Sequence, residues 1–226
     1  MKIAVLGTGM VGQAQAGRLA ELGHDVTVGT RDVAATMART TPDGMGNAPY
    51  AAWAARHTDV TLATFAEAAA SAELIVNATS GNVSITALEA AGRKNLAGKI
   101  LLDIANPLDS SKGFPPTLFV KDTDSLGEQI QAAFDELKVV KALNTLTAAL
   151  MVNPKAIADG DHSVFVSGND AEAKKTVIGL LESFGHTDVI DLGDITTARG
   201  SEMVLPIWLR LMGALNTPMF NFKIVR

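Results

Sequence analysis

The chain has 226 residues, enough for one large α/β domain or for a nucleotide-binding domain with a small second lobe. Its charged residues sum to 19 − 24 = −5, and this acidic balance without a basic run argues against nucleic acid or an anionic membrane as the partner. The absence of cysteine excludes disulfides and thiol nucleophiles, and the 4 histidines lack metal-ligand spacing, so we expect no metal site.

Short apolar runs alternate with stretches of helical spacing along the first part of the chain. The runs that predict strands are Lys2–Leu6, Asp25–Val28, Val60–Ala63, Leu74–Asn77, Ile100–Ile104 and Val139–Leu143. The spacing between them predicts helices over Met10–Leu22, Val33–Arg39, Thr64–Ser71, Val83–Ala91 and Leu126–Leu137. This alternation is typical of a Rossmann-like α/β fold with a doubly wound, mainly parallel sheet.

The pattern changes after residue 143. It predicts a helix, a strand, a helix, a strand and a mostly helical tail over Thr145–Met151, Ser163–Ser167, Ala171–Phe184, Thr187–Leu192 and 194–215. We therefore predict a first domain over 1–143 and a small C-terminal α/β lobe over 144–226, which could also continue the first sheet. Two irregular segments remain, Thr40–Pro49 and Asp109–Ser125, and the second is a candidate lid because it leaves the sheet just after the fifth strand.

No segment predicts a targeting signal or a membrane span. The first apolar run breaks at Gly7, too early for a secretory signal. The most apolar late stretch, Met203–Leu215, is interrupted by Pro206 and Arg210 and is too short to cross a bilayer. We expect a cytoplasmic protein.

A glycine-rich turn connects the first strand to the first helix. The motif GxGxxG is formed by Gly7, Thr8, Gly9, Met10, Val11 and Gly12. Gly7 permits the tight turn, Gly9 lets the backbone approach a pyrophosphate, and Gly12 lets helix and strand pack closely. The helix N-terminus adds free N–H groups and a positive dipole end. The sequence therefore predicts a bound dinucleotide.

The end of the second strand indicates which dinucleotide fits. NAD-binding proteins usually carry a carboxylate there, about 20 residues past the loop, that binds the ribose 2′-hydroxyl. Thr30 stands at that approximate position, and Arg31 follows with a planar cation suited to a 2′-phosphate. Asp32 could bind the ribose or cap the next helix. We predict NADP(H), with NAD as the alternative that Asp32 leaves open.

Small and mostly polar residues follow three further strands, at the edge where open α/β sheets bind ligands. They are Asn77, Ala78 and Thr79 after the fourth strand, Asn106 and Pro107 after the fifth, and Asn144 after the sixth. Such residues suit ribose hydroxyls and a nicotinamide carboxamide, although each alone could serve a turn or a helix cap.

Residues typical of acid–base or nucleophilic catalysis are missing from these strand ends. There is no GxSxG motif and no P-loop lysine, and His24 and His186 stand in turns that we interpret as surface turns. Lys141 could donate a proton, but we favour a strand lysine with its head group at the sheet edge. Hydride exchange between two planar carriers needs mainly apposition and exclusion of water. The pattern fits that chemistry better than carbonyl reduction.

Several segments carry a family resemblance along nearly the whole chain: GTGMVG, VGTR, KVVKALNT, and ARGSEMVLPIWLRLMG with FKIV near the end. The chain resembles the NADPH-dependent reductases of coenzyme F420, the 8-hydroxy-5-deazaflavin. DIANPL and KALNT also resemble the oxidoreductase domain of the six-transmembrane metalloreductases, a more distant relative.

The resemblance implies NADP(H) as cofactor, coenzyme F420 as second substrate, and a homodimer. It implies that the cofactor is contacted by Thr8, Gly9, Met10, Val11, Thr30, Arg31, Asn106 and Ala148. It implies that the deazaflavin contacts Phe220, with Pro206 nearby. Two departures concern Ala35, where the family has a further basic residue for the 2′-phosphate, and Asn144, where the archaeal reductases carry a histidine. We count Asn144 as a substrate-binding candidate.

Three functions stay open from the sequence. The first is an NADPH oxidoreductase that transfers hydride to or from coenzyme F420 with no catalytic side chain. The second is an NADPH-dependent reductase of FAD, FMN or another small acceptor. The third is a non-catalytic NADPH-binding redox sensor. The tail Leu205–Phe222 could supply core packing, an acceptor pocket or a dimer face.

Overall fold

A mainly parallel sheet of eight strands forms the centre of the molecule in the computed structural model, which describes residues 1–42 and 46–226. Its strands are β1 (Lys2–Leu6), β2 (Asp25–Thr30), β3 (Thr61–Thr64), β4 (Leu74–Asn77), β5 (Ile100–Asp103), β8 (Lys138–Ala142), β9 (Ser163–Gly168) and β10 (Asp188–Gly193). Two short strands, β6 (Leu108–Asp109) and β7 (Thr117–Leu118), pair with each other outside this sheet. The order in the sheet is β10-β9-β8-β5-β4-β1-β2-β3, and only β8 and β9 pair antiparallel. The Rossmann-like α/β prediction is confirmed.

Helices cover both faces of this sheet. They are α1 (Met10–Glu21), α2 (Val33–Ala38), α3 (Tyr50–Ala54), α4 (Phe65–Ser71), α5 (Ser84–Ala91), α6 (Arg93–Leu96), α7 (Leu126–Ala133), α8 (Ala148–Val152), α9 (Ala171–Phe184), α10 (Ala198–Met203) and α11 (Leu205–Leu215). One core cluster joins the sheet to α1, α3, α8 and α9, and a second joins it to α4, α5, α7 and α10. Strands buried on both faces explain the continuous apolar runs.

Three predicted element ends differ from the structure by two residues or more. β2 continues to Thr30, so that residue stands on the last position of the strand. α7 ends at Ala133, and the Gln131 amide donates to the carbonyls of Phe134 (3.2 Å) and Leu137 (2.7 Å) as the chain turns into β8. α8 begins only at Ala148, because Leu143 adopts φ 61° and turns the chain sharply after β8.

The C-terminal residues join the same sheet. β9 pairs with β8 through Lys141↔Ser167, and β10 pairs with β9 in parallel. Because β9 runs against β8, the start of β9 lies at the edge where β1, β2, β4, β5 and β8 end. We call this the carboxyl edge. The division of the chain at residue 143 into two domains stays a prediction.

Two segments are predicted from the sequence to be irregular. The segment Asp109–Ser125 includes most of a short antiparallel hairpin of β6 and β7, with the pair Asp109↔Thr117, and the role of the segment as a lid stays a prediction. Within Thr40–Pro49, residues 43–45 lie outside the described residues. No helix of the described parts of the chain is long and apolar enough to cross a bilayer.

Candidate functional site

The three glycines of the first turn have different surroundings. A Cβ at Gly7, which adopts φ +121°, would lie 2.6 Å from the carbonyl oxygen of Ala78. A Cβ at Gly12 would lie 2.0 Å from the carbonyl oxygen of Gly7. A Cβ at Gly9 would meet no atom within 4 Å, so its space is open. Gly7 and Gly12 are therefore required by the fold, and Gly9 leaves room for a ligand.

The N-terminus of α1 is prepared for an anion. Its N-cap residue, Gly9, has no side chain to bond the first amides, and no acidic residue stands in the first turn. These amides have no partner within the helix, and the helix dipole is positive here. The Gln13 side chain donates to the carbonyl oxygen of Thr8 (2.9 Å) and fixes the loop from inside. Gly9 and Met10 are exposed, so a ligand can reach this end.

The end of β2 presents one free cation and no free carboxylate. Asp32 caps α2, its side chain accepting from the amide of Ala35 at 2.9 Å. Arg31 is exposed and makes no ion pair or hydrogen bond within the ranges that the structure describes. The Thr30 hydroxyl is buried and lies 2.8 Å from the hydroxyl of Thr36. Of the two roles that the sequence left open for Asp32, the structure shows the helix cap.

A row of buried polar side chains crosses the sheet at the carboxyl edge. Asn77, Asp103 and Lys141 are register partners on β4, β5 and β8, on the face covered by α7 and α10. The Asn77 amide donates to Asp103 Oδ1 (2.8 Å) and to Ser84 (3.0 Å), and its oxygen accepts from the amide of Thr79 (3.3 Å). Asn77 is fully buried, so its side chain holds the turn after β4 and offers no free group to a ligand.

Lys141 belongs to this row, and its head group is buried inside the network, which corrects the expectation of a lysine head group open at the sheet edge. Its ammonium nitrogen is 2.8 Å from Asp103 Oδ2, 2.5 Å from the Ala105 carbonyl oxygen and 2.8 Å from Glu202 Oε1. Burial by itself would lower the pKa of Lys141, but the two carboxylates outweigh it and raise that pKa. An ammonium with three acceptors for its three N–H bonds and a raised pKa is a poor proton donor.

Glu202 ties α10 to this network. Its carboxylate accepts from the backbone amides of Leu126 (2.8 Å) and Gly127 (3.0 Å), at the start of α7. Buried charges of this kind persist only when their hydrogen bonds are complete. Sequence reasoning missed Asp103 and Glu202 as a pair with Lys141. The available signal was a charged residue inside each of the apolar runs LLDIA and VVKAL.

The predicted nicotinamide-side residues meet at one point of the carboxyl edge. The Asn106 amide donates to the Asn144 carbonyl oxygen (2.8 Å), and the Asn144 amide donates to Asn106 Oδ1 (3.0 Å) and to the Ser201 carbonyl oxygen (3.1 Å). Asn106 is half-buried, while Pro107 and Ala148 are buried. The Asn106–Asn144 pair therefore joins the turns after β5 and β8 to α10.

The C-terminal segment runs along the same edge. The Ser163 amide, at the start of β9, donates to the Phe222 carbonyl oxygen (2.9 Å). Phe220 is half-buried and stacks on Trp208 of α11, with 5.2 Å between ring centroids, and Pro206 is exposed. The contact of Phe220 with the deazaflavin, with Pro206 nearby, stays a prediction.

His186 corrects a second expectation, because it is buried at 3% exposure and not in a surface turn. Its Nε2 lies 2.9 Å from the Met151 carbonyl oxygen, so that nitrogen carries the proton and donates. Burial lowers the pKa of His186 to about 4, with a further lowering from His162. His24 is half-buried.

The fold and the edge described above define a Rossmann-like α/β protein with an open glycine turn. A family described as coenzyme F420-dependent NADP oxidoreductases matches residues 2–107. A crystal structure of a protein from Arthrobacter sp. FB24, assigned to the F420-dependent NADP reductases, is 65% identical over 100% of both chains, with a TM-score of 0.95. The chain therefore belongs to the coenzyme F420-dependent NADP oxidoreductase family.

Curated relatives are more distant. An F420-dependent NADP reductase of Methanothermobacter marburgensis is 28% identical over 93% of this chain and 92% of its own length. The metalloreductase STEAP3 of Rattus norvegicus is 28% identical over 92% of this chain, which spans only 38% of that relative. The chain likewise spans 53% of an F420-dependent NADP reductase of Methanocaldococcus jannaschii, to which it is 33% identical over 53% of its own length.

Proposed function

We propose that the chain binds NADPH along the carboxyl edge and exchanges hydride directly with a deazaflavin of the coenzyme F420 type. The observation that carries this proposal is the state of Lys141. It is the one lysine among the strand-end residues described above. Its ammonium group donates to Asp103, Glu202 and the Ala105 carbonyl, and its pKa is raised, so it holds its proton. A direct transfer between two carriers requires no proton donor for an alkoxide.

The residues present fit NADPH. The open space at Gly9 and the uncapped start of α1 suit a pyrophosphate, with Gly7, Thr8, Met10, Val11 and Gly12 forming the rest of the turn. Arg31 suits the 2′-phosphate, and Thr30 shapes the strand end through its bond to Thr36. NADPH would supply the hydride, and the chain would bind, orient and shield it from water.

The nicotinamide half would lie against the turns after β4, β5 and β8. Ala78 and Thr79 are half-buried beside the glycine turn, and Asn106 is half-buried above the ion network. Asn144 and Asn77 act in this proposal by holding those turns, since their amides are already bonded within the protein. Ala148 and Pro107 supply buried walls.

The acceptor would stack near the C-terminal segment, between Phe220 and the nicotinamide. We include a homodimer in the proposal, because α11 exposes large apolar side chains: Ile207 is 51% and Leu215 is 53% exposed. Light scattering on the purified chain measures the mass in solution. An Ile207→Glu variant that stays as large as the original would count against this helix as the contact.

The direct test follows hydride from NADPH that carries deuterium at both hydrogen positions of the nicotinamide C4, so that the transferred hydrogen is labelled whichever face reacts. We expect oxidation of NADPH when oxidised coenzyme F420 is added, with the deuterium retained on the deazaflavin in ordinary water. Loss of the label to solvent, or no turnover, would contradict the proposal.

Two further arms separate the other functions. FAD and FMN are included as acceptors because the sequence leaves a flavin reductase open. Turnover with a flavin but not with F420 would favour the flavin reductase. Tight NADPH binding without turnover on any acceptor would favour the redox sensor.

A further inference from the structure

A small cavity lies between the glycine turn and the chain that leads into α3. Thr8, Gly9 and Met10 line one side, and Arg39 and Tyr50 line the other. Arg39 follows the last residue of α2, and Tyr50 is the first residue of α3. Two elements that are distant from the glycine motif in sequence therefore face it across this cavity.

Both side chains have unused hydrogen-bonding capacity. Arg39 is exposed and forms no ion pair or hydrogen bond within residues 1–42 and 46–226. Tyr50 is only 4% exposed, and its buried hydroxyl has no hydrogen-bond partner among the described residues. A buried hydroxyl without a partner costs free energy unless something else binds it. Burial raises the pKa of Tyr50 to about 12, so its hydroxyl keeps the proton that it can donate.

The surroundings favour a ligand with negative charge. The α1 N-terminus lies on the opposite wall with unpaired amides and no acidic residue in its first turn. Arg39 adds a full positive charge, which can form paired hydrogen bonds to phosphate oxygens. Arg31 stands elsewhere, at the end of β2, and does not line this cavity.

We propose that Arg39 and the Tyr50 hydroxyl bind the pyrophosphate of the dinucleotide from the side that faces the glycine turn. This inference rests on the proposed binding of NADPH and adds two residues that lie outside the glycine motif. It gives Arg31 and Arg39 different roles, because Arg31 would bind the 2′-phosphate and Arg39 the pyrophosphate.

These two roles can be separated with two ligands that share one phosphate group. NADPH carries both the 2′-phosphate and the pyrophosphate, whereas adenosine 2′-monophosphate carries only the first. Dissociation constants are measured by calorimetric titration for NADPH and by competition for the monophosphate. The variants are Arg39→Ala, Tyr50→Phe and Arg31→Ala, with Arg56→Ala as an exposed arginine away from the cavity.

We expect Arg39→Ala to weaken NADPH about tenfold, the size of one charge-assisted hydrogen bond, and to leave the monophosphate unchanged. Arg31→Ala should weaken both ligands about tenfold. Tyr50→Phe keeps the ring packed on Trp53, 5.3 Å away, and should weaken NADPH about threefold. Arg39→Lys should recover part of the loss, because lysine keeps the charge but not the paired geometry.

Three results would overturn the inference. Arg39→Ala could leave NADPH binding unchanged, or weaken both ligands as Arg31→Ala does. The original protein could also fail to bind NADPH at all, which would overturn the proposed function as well. If the expected pattern holds but no acceptor takes the hydride, the proposed reaction fails and this inference stands.

Discussion

The carboxyl edge has two halves that are built differently. At the glycine turn and the neighbouring end of β2, the groups available to a ligand are backbone amides and two exposed arginines, Arg39 and Arg31, and the space at Gly9 is open. At the ends of β5 and β8, the polar groups are buried and bonded to one another through Asp103, Lys141 and the carboxylate from α10.

This difference indicates that the first half binds the ligand and that the second half holds the backbone of the site in position. The first half keeps unpaired donors at the surface, so an anion can satisfy them. The second half uses its charges to fix the backbone of Ala105, directly before Asn106, through bonds to both its amide (3.3 Å from Asp103 Oδ1) and its carbonyl. Changes in the first half should therefore affect ligand affinity, and changes in the second should affect stability.

The largest expected effect is the loss of Lys141. In Lys141→Met, the carboxylates of Asp103 and Glu202 would remain buried, with side-chain exposures of 0% and 2%, without their shared cation. Breaking a buried ion pair on one side typically costs about 3–5 kcal/mol. Urea denaturation of the variant and of the original protein measures the loss in the free energy of unfolding.

A matched control lies on the same strand. Lys138 pairs with Asp170 at 3.0 Å, but the two side chains are 41% and 33% exposed. Lys138→Met should cost at most about 1 kcal/mol, because water screens an exposed pair. Equal losses in the two variants would mean that the buried network does not stabilise the carboxyl edge.

The same contrast explains what the sequence could predict. The alternation of apolar runs predicts the strands of the parallel sheet, and GxGxxG and Thr30-Arg31 are local patterns whose partners stand close by in the chain. The ion network is not local: Asp103 and Lys141 are 38 residues apart, and Glu202 arrives from a helix after the last strand. In the sequence pattern, a charged residue of this kind reads only as a break in an apolar run. Asp103 and Lys141 are brought together by the register of β5 and β8, which the sequence pattern does not give.

A pH titration should show that His186, in the C-terminal part of the chain, makes stability depend on pH. The folded pKa of His186 is about 4, against 6.5 for an unperturbed histidine, because its ring is buried. Between these values the unfolded chain binds the proton and the folded chain does not, so stability should fall as the pH drops from 6.5 towards 4. The loss from this group should be at most about 3 kcal/mol.

The check compares the original protein with His186→Gln, in which an amide can still donate to the Met151 carbonyl oxygen. The pH dependence of the unfolding free energy should be flatter in the variant across this window. Parallel curves for the two proteins would show that His186 is not the titrating group.

A substitution at Gly9 in the glycine turn should have the opposite effect to the loss of Lys141: it should lower the affinity for NADPH and leave stability unchanged. A Cβ at Gly9 meets no protein atom within 4 Å, and its φ of −76° suits any residue. Gly9→Ala should leave the melting temperature unchanged while it weakens NADPH tenfold or more, on the order of 1–3 kcal/mol, by filling ligand space. Gly12→Ala is the contrasting variant, since its Cβ would lie 2.0 Å from the Gly7 carbonyl oxygen and should destabilise the fold. A loss of stability in Gly9→Ala would contradict the open space.

The smallest effect concerns Asp32, where cofactor choice and helix capping meet in one side chain. Asp32→Ala removes the bond to the Ala35 amide and should cost about 1 kcal/mol of stability, whereas Asp32→Ser can still cap and should cost less. Both variants remove a negative charge beside Arg31, so neither should weaken NADPH. If both weaken NADH while the serine variant keeps its stability, Asp32 binds the ribose, and Arg31 alone would then have to favour NADPH against a neighbouring carboxylate.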